Sequence, residues 1–287
     1  MWLVNADGSG GSRLAAGVCD DPSSLEWSPD GSRLACTHRA TLVALDADGA
    51  VIAEVDGALD VRWAPDSGRL GYRTLSDEVH VLDLDTQEDE IVAEDAWLLE
   101  WPLLGRMLVA LEVVVGDAAI SYEANWLDLQ TGETERVPRF DDGASFWLAP
   151  GGAWALVTTV SRDGLGLAIY DLETGEEQII ERGTIGFPSE YIPEDQVAIS
   201  GDGASIYWAD ASNVPAGVFY ASRDERQARR LGAVPSLFVD VSTAEFAAYA
   251  GEGANPPDIP VVVADLRAGT SLEVGRGTTV MAWRPTP

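Results

Sequence analysis

One short phrase recurs along the whole chain, and it constrains the fold more than any other feature. An aromatic or aliphatic residue is followed by a small residue, then by Pro or a substitute, and then by an acidic or Gly turn. The seven copies begin at Trp27, Trp63, Trp101, Leu148, Ile199, Val241 and Trp283. They are spaced 36, 38, 47, 51, 42 and 42 residues apart, which is typical of a repeated four-stranded unit. We therefore expect an all-β chain made of successive small sheets.

Each repeat continues in the same way after its opening phrase. A short apolar strand comes next, as in Arg33–Cys36 and Arg69–Tyr72. A later alternating strand ends in Asp and a Gly-containing turn, as in Asp46–Gly49 and Asp171–Gly175. Asp accepts hydrogen bonds from nearby backbone N–H groups, and Gly supplies the positive φ that tight hairpins need. This pattern predicts antiparallel hairpins, and helical periodicity is weak throughout.

These residues carry a resemblance to a known repeat. Trp27-Ser-Pro-Asp-Gly31, followed by Asp46-Ala-Asp-Gly49, resembles the TolB-type, WD40-like propeller repeat, and Trp63–Asp66 is a close second copy. The later copies match in strand pattern and hairpin turn. The resemblance implies a β-propeller that occupies residues 1–287 as a single domain. It also implies an envelope setting in which such propellers contact other proteins, although the repeat is a scaffold shared by many functions.

The two ends of the chain predict how the ring closes. Residues Met1–Gly10 read as a third strand with its turn, Ser12–Leu14 as a fourth strand, and Thr279–Trp283 as a first strand. Together they would form one blade from both termini, which protects the edges of an open ring. We therefore expect seven blades, six complete and one composite that lacks its second strand. A six-bladed ring with loose ends is the alternative.

The charge of the chain restricts its partners. Lys+Arg 18 against Asp+Glu 48 gives a net charge of −30, and every basic residue is arginine. Such a field repels phosphate backbones, so nucleic acid and anionic membranes are poor partners, whereas basic proteins or cations are easier ones. No apolar run is long enough to cross a bilayer, and the residues after Met1 do not resemble a signal peptide. We expect a monomer that is cytoplasmic, or periplasmic or extracellular if the chain is trimmed.

No catalytic motif occurs in the sequence. It contains no G-x-S-x-G, no HExxH and no EF-hand loop, and its two histidines are His38 and His80. We therefore expect no catalytic residues, no metal site and no cofactor. The acidic turns Asp46–Asp48 and Asp83–Asp85 are explained by hairpin formation, with calcium binding as the less favoured interpretation. The recurring tryptophans are expected to pack between blades.

The two cysteines form no zinc-binding spacing. Cys36 lies in an apolar run, where a small buried thiol is the ordinary interpretation. A disulfide between Cys19 and Cys36 is the alternative.

A candidate partner-binding face follows from the propeller arrangement. The loops from strand two to strand three and the loops between blades emerge on the same face around the central channel. We predict that Arg39, Arg73 and Arg162 lie in such loops, with His38 beside the first, and that they converge into a spot that attracts carboxylates. Unrelated exposed arginines are the competing interpretation.

The longest insertions belong to the same face, where function usually resides. Within residues 183–193, Phe187 and Tyr191 either anchor a partner or plug the channel. The functional hypothesis is a non-catalytic scaffold that binds a protein or peptide partner through this loop-rich face. The alternatives are the propeller portion of a peptidase-like or lyase-like envelope enzyme, and the ligand-sensing domain of a signalling protein.

Overall fold

A computed structural model of the chain describes most of residues 24–185 and shorter segments on either side. The described residues are 2–3, 5, 7–14, 19, 24–115, 119–137, 140, 146–161, 164–185, 197–200, 203–210, 217–223, 229–232, 239–243, 246–250, 259–265 and 270–277. They form strands and turns and contain no α-helix. Within them, no helix is long and apolar enough to cross a membrane. The all-β prediction is confirmed.

The chain divides into two compact units. The first contains Met1–Trp2, Arg13–Gly143 and Arg284–Pro287, and the second contains Leu3–Ser12 and Ala144–Trp283. Each unit holds three complete four-stranded sheets.

The first unit contains blades 1 to 3, each an antiparallel meander whose strands pair in sequence order. Blade 1 consists of β3 (Ser24–Trp27), β4 (Arg33–His38), β5 (Thr41–Asp46) and β6 (Val51–Asp56). Blade 2 consists of β7 (Ala58–Trp63), β8 (Arg69–Thr74), β9 (Val79–Asp83) and β10 (Asp89–Ala93). Blade 3 consists of β11 (Ala96–Leu103), β12 (Arg106–Val115), β13 (Ala119–Asp128) and β14 (Thr134–Arg136).

The second unit contains blades 4 to 6 with the same meander order. Blade 4 consists of β15 (Phe146–Leu148), β16 (Trp154–Ser161), β17 (Gly164–Asp171) and β18 (Glu177–Ile185). Blade 5 consists of β19 (Val197–Ile199), β20 (Ser205–Asp210), β21 (Gly217–Ser222) and β22 (Arg229–Gly232). Blade 6 consists of β23 (Val239–Thr243), β24 (Phe246–Ala250), β25 (Ile259–Asp265) and β26 (Thr270–Gly277).

The N-terminal segment forms a small hairpin. β1 (Trp2–Leu3) pairs with β2 (Ser12–Arg13) in a two-stranded sheet, as expected for the third and fourth strands of a composite blade. A side chain added at Gly8 would meet Val274 and Leu272 of β26 at 3.7 and 3.8 Å, so this hairpin lies beside blade 6. The expected C-terminal strand, Thr279–Trp283, lies outside the described residues. The seventh blade and the single-domain assignment therefore stay predictions.

Two of the repeated tryptophans, Trp63 and Trp101, pack between neighbouring blades, as predicted. Trp27, Trp63 and Trp101 are 7%, 4% and 3% exposed. Trp63 belongs to an apolar cluster shared by blades 1 and 2, and its indole Nε1 donates to the Glu26 carbonyl of blade 1 at 3.0 Å. Burying such side chains contributes about 1.5–3 kcal/mol each. Trp283 lies outside the part of the chain that is described.

The opening phrase of the repeat forms a self-contained turn. In blade 1, Ser28 Oγ donates to Asp30 Oδ1 at 2.7 Å and accepts from the Arg33 N–H at 2.9 Å. Burial opposes the ionised form of Asp30, but hydrogen bonds from Ser32 and Ser28 outweigh it and lower the pKa of this carboxyl to about 2. The turn holds strand one against strand two, and this explains why the phrase recurs.

Candidate functional site

The β8–β9 turn of blade 2 and the start of β11 in blade 3 are joined at one end of these blades. The Ala96 N–H donates to the Asp77 carbonyl at 2.9 Å, and the Glu112 N–H donates to the Asp95 carbonyl at 3.0 Å. The Leu75 N–H donates to the Gly57 carbonyl at 3.1 Å. Turns between strands two and three therefore lie at the same end as the starts of the first strands. This is the face that the sequence predicts to be functional.

Arg73 lies in strand β8 and not in the following loop, which corrects the sequence-based placement. Its pairing with Leu59 and Val79 continues the ladder up to Thr74, so the loop begins at Leu75. The guanidinium is 17% exposed and is held by two carboxylates, with Nε 2.7 Å from Asp60 Oδ2 and Nη1 2.6 Å from Asp77 Oδ1. Burial favours the neutral form of Arg73, but the hydrogen bonds to these carboxylates outweigh it and raise its pKa.

The same guanidinium stacks on an exposed aromatic residue. The Arg73 Cζ atom is 4.9 Å from the centroid of the Trp97 ring, and the Trp97 ring is 4.4 Å from that of Tyr122 at an interplanar angle of 33°. Trp97 is 37% exposed, and Leu75 in the adjoining turn is 69% exposed. We call Leu75, Trp97 and Tyr122, together with Arg73, the Trp97 surface. It is an apolar and aromatic patch on a rigid support, of the kind that anchors partners.

Carboxylates surround the Trp97 surface. Asp60 and Asp77 flank Arg73, and Asp95 and Glu112 are exposed next to Trp97 and Tyr122. Glu112 is the cross-strand partner of Tyr122. Four carboxylates and one guanidinium give this region a net charge of −3. The predicted attraction for carboxylates is thus not favoured at Arg73, because its positive charge is already matched twice.

Arg39 and His38 lie at the equivalent end of blade 1. Arg39 and Ala40 form a two-residue hairpin turn with φ of 50° and 60°, the geometry of a type I′ turn, and Arg39 is exposed. His38 is the last residue of β4, is partly buried and pairs across the hairpin with Thr41.

The same kind of contact joins blade 1 to blade 2 and blade 2 to blade 3. The Ala40 carbonyl accepts hydrogen bonds from the Gly57 and Ala58 N–H groups, just as the Asp77 carbonyl accepts one from the Ala96 N–H.

The other predicted site residues, Arg162, Phe187 and Tyr191, lie outside the described residues. Whether they join Arg39 and Arg73 stays a prediction.

A second polar cluster joins the first strands of blades 1 to 3. Glu26, Arg62 and Glu100 each directly precede the repeat tryptophan of their blade. Arg62 Nε lies 3.2 Å from Glu100 Oε1 and donates to the Leu99 carbonyl at 3.1 Å. Burial raises the pKa of Glu26 to about 7, Arg62 partly opposes this, and Glu100 adds to it. This cluster was not predicted from the sequence, although a charged residue recurs directly before each of these tryptophans and was the available signal.

His80 contacts its neighbours in blade 2 through its ring face and its Nδ1 atom, whereas its buried Nε2 atom makes no hydrogen bond with the described residues. It is partly buried, stacks on Tyr72 with ring centroids 5.0 Å apart, and its Nδ1 lies 3.2 Å from Asp89 Oδ1. Tyr72 donates to Asp89 Oδ2 at 2.6 Å, and burial together with this hydrogen bond raises the pKa of the phenol.

The acidic turns bind backbone N–H groups. Asp46 Oδ1 accepts from Asp48 and Ala50, and Asp83 Oδ1 accepts from Asp85 and Thr86, at 2.8–3.0 Å. The hairpin interpretation of these turns is confirmed. In the described ranges, no group of three or more His, Cys, Asp or Glu residues is arranged to hold a metal ion.

Cys19 and Cys36 form a disulfide, with Cα atoms 6.0 Å apart. The ordinary interpretation of Cys36 as a free buried thiol is therefore wrong, and the alternative holds. Cys36 is fully buried, so its sulfur is both a core atom and a crosslink.

Comparison with solved structures defines the class of protein. The chain is similar to TolB from Acinetobacter baumannii, with a TM-score of 0.56 and 15% identity over 91% of this chain and 66% of TolB. It is similar to the β-propeller domain of the Trilobed protease from Pyrococcus furiosus, with a TM-score of 0.60 and 15% identity over 89% and 83% of the two chains. It is also similar to the Cps50 (Swd1) β-propeller domain from Myceliophteria thermophila, with a TM-score of 0.59 and 14% identity over 92% and 90%.

These likenesses show that the chain has a β-propeller fold of the TolB and WD40 kind, which confirms the expectation from the repeats. At these identities they establish the fold alone, and the chain spans just under two thirds of the length of TolB. No protein-family model matches the sequence. No curated protein matches it either.

Proposed function

We propose that this propeller is a non-catalytic module that binds a protein or peptide partner through the end of its blades that carries the Trp97 surface. The observation that carries this proposal is the stack of Arg73 on Trp97. A guanidinium fixed by two carboxylates holds an indole that is 37% exposed, whereas the three repeat tryptophans among the described residues are buried. A rigid, exposed aromatic anchor loses little conformational entropy on binding.

The setting of this module is part of the proposal. We propose that it acts as a monomer in an oxidising compartment such as the periplasm or the extracellular space. The Cys19–Cys36 disulfide supports this, because disulfides persist in such compartments. The likeness to TolB is consistent with it at the level of fold.

Site-specific crosslinking followed by direct binding tests the proposal. A photoreactive phenylalanine derivative is placed at position 75, in the β8–β9 turn that is bonded to the start of β11, and the control derivative is placed at Thr131 in the exposed β13–β14 turn at the other end of blade 3. A specific partner should crosslink from position 75 and not from position 131. The purified partner should then bind the Trp97→Ala variant at least about tenfold more weakly than the original chain.

Two outcomes would reject the proposal. One is equal crosslinking from both positions, and the other is unchanged affinity of the purified partner for the Trp97→Ala variant. Turnover of a small substrate that depends on residues at this surface would instead favour the enzyme alternative.

A further inference from the structure

We infer that the segment which binds the Trp97 surface is a basic peptide that alternates cationic and aliphatic side chains. This inference rests on the proposed function and names the chemistry of the partner. It depends on three features of the described residues. The guanidinium of Arg73 is paired with two carboxylates, carboxylates are in excess around it, and the apolar side chains of Leu75 and Trp97 are exposed.

Arg73 is not available to an acidic partner. Its Nε and Nη1 already contact Asp60 and Asp77 at 2.7 and 2.6 Å, and its Cζ atom lies over the Trp97 ring, 4.9 Å from the centroid. A carboxylate from a partner would approach a positive charge that two carboxylates already pair, and both of them would repel it. In a chain with a net charge of −30, it would also meet long-range repulsion.

Asp95 and Glu112 provide the attractive element. Both are exposed, and the Glu112 N–H donates to the Asp95 carbonyl at 3.0 Å, so the two residues are held next to each other. Asp95 lies two residues before Trp97, and Glu112 pairs across the strands with Tyr122. An arginine or lysine of a partner would therefore find carboxylates beside an aromatic surface, where charge pairing and contact with the indole act together.

Leu75 and Trp97 require an apolar contribution from the partner as well. Leu75 is 69% exposed and Trp97 is 37% exposed. The turn that contains Leu75 is held in place, because the Leu75 N–H donates to the Gly57 carbonyl. Water contacts the exposed part of both side chains in the free protein, so an aliphatic side chain packed against them gains burial. A small cation would neutralise the carboxylates but leave the apolar side chains exposed to water. A segment that alternates basic and aliphatic residues would pair with the carboxylates and also bury the apolar side chains.

Fluorescence anisotropy with labelled peptides of about eight residues tests the inference. The peptides alternate Arg with Leu, Glu with Leu, or Arg with Ser. The proteins are the original chain, Trp97→Ala, the double variant Asp95→Asn/Glu112→Gln, and the control double variant Glu54→Gln/Glu90→Gln. The control removes the same charge from exposed strands of blades 1 and 2. All variants are first compared with the original chain by circular dichroism and thermal unfolding.

The Arg–Leu peptide should bind best, and the Glu–Leu peptide should not bind. Replacing Asp95 and Glu112 should weaken Arg–Leu binding at least about fivefold, and replacing Trp97 at least about tenfold, while the control should change it less than about twofold. Equal losses in both double variants would mean general charge attraction and would overturn the inference. Preferential binding of the Glu–Leu peptide would overturn it as well.

The result also separates this inference from the proposed function. If the crosslinked natural partner needs Trp97 but is indifferent to the Asp95→Asn/Glu112→Gln change, the binding face stands and the basic chemistry is wrong. If the natural partner does not need Trp97, the proposed function itself fails, whatever the model peptides do.

Discussion

Arg73 and Trp97 form a stacked pair across two blades, with the guanidinium carbon 4.9 Å from the centroid of the indole ring. The guanidinium is partly buried in blade 2, and the indole lies at the start of the first strand of blade 3. Asp60 and Asp77 fix the orientation of Arg73, so the indole that it covers, which is 37% exposed, is held in a defined position. The proposed binding face depends on this rigidity.

Arg73→Lys should weaken this arrangement. Lysine cannot pair with Asp60 and Asp77 through a planar fork or stack flat on the indole. We expect a loss of about 1–2 kcal/mol in the free energy of unfolding, kept small because both carboxylates are more than two-fifths exposed. Urea unfolding measures it, and Arg39→Lys, at an exposed hairpin turn, is the control that should change nothing. A stability unchanged by Arg73→Lys would show that the pair is not structural.

Gly71→Ala should destabilise the packing of blade 2 on blade 3. An added Cβ would lie 2.5 Å from Met107 Cε and 3.1 Å from both Leu98 Cδ2 and Trp101 Cε3. Because these side chains belong to a packed apolar cluster, we expect a cost of about 1–3 kcal/mol. Thermal or urea unfolding provides the measurement. Gly105→Ala is the matched control, since an added Cβ there meets nothing within 4 Å, and equal effects of the two changes would contradict the close approach.

Glu26→Gln should alter the pH dependence of stability. The pKa of Glu26 is raised to about 7 in the folded state, chiefly by burial, from an ordinary value of 4.5. Between pH 4.5 and 7, Glu26 is ionised in the unfolded chain but still protonated in the folded chain, so a rise in pH favours unfolding. The stabilisation that protonated Glu26 contributes is therefore fully present below pH 4.5 and is lost as the pH rises through 7. We therefore expect the Gln variant to match the original chain near pH 4.5 and to be more stable by about 1–3 kcal/mol near pH 8.

Urea unfolding across this pH range checks the Glu26 prediction. Glu54→Gln, on the exposed side of β6, is the control and should give parallel curves at all pH values. A constant difference between the Glu26→Gln variant and the original chain would mean that Glu26 does not titrate in this window.

Reduction of the Cys19–Cys36 disulfide should cost about 2–4 kcal/mol of unfolding free energy, because the crosslink closes a loop of 17 residues and limits the unfolded ensemble. Urea unfolding with and without dithiothreitol measures this. The Cys19→Ala variant should resemble the reduced protein and should not respond to the reductant. If the oxidised and reduced proteins unfold at the same urea concentration, the crosslink contributes nothing to stability.

The repeat made the fold predictable because its information is local. The turn at Ser28–Arg33 and the capped turn at Asp46 are closed by hydrogen bonds between residues a few positions apart. The phrase itself carries the groups that close the turn, and strand order in a meander follows directly from consecutive hairpins. The strands, the buried tryptophans and the propeller class all followed from this.

The candidate site was less predictable, since it depends on contacts between blades. Arg73 was identified from the sequence, but its ion pairs with Asp60 and Asp77 were not, because Asp60 belongs to a different strand. Trp97 was not predicted because it lies outside the recurring phrase, and nothing in the sequence separates it from the other tryptophans outside that phrase. Whether Cys19 bonds to Cys36 was left open for a similar reason, since a spacing of 17 residues does not fix the distance between them.

The sequence by itself determined the repeated sheet, its turns and the acidic character of the surface, which are properties of short segments and of composition. Only the tertiary structure decided that Trp97 is exposed while Trp101 is buried. Trp97 and Trp101 are four residues apart on one strand, so simple alternation places them on the same side. Irregular pairing of β11 with β12 between Leu98 and Leu103 shifts the register. As a result Trp101 is buried together with Leu98, while Trp97 remains accessible. The sequence of β11 does not reveal this shift, because a bulge depends on the neighbouring strand and not on the residues that it displaces.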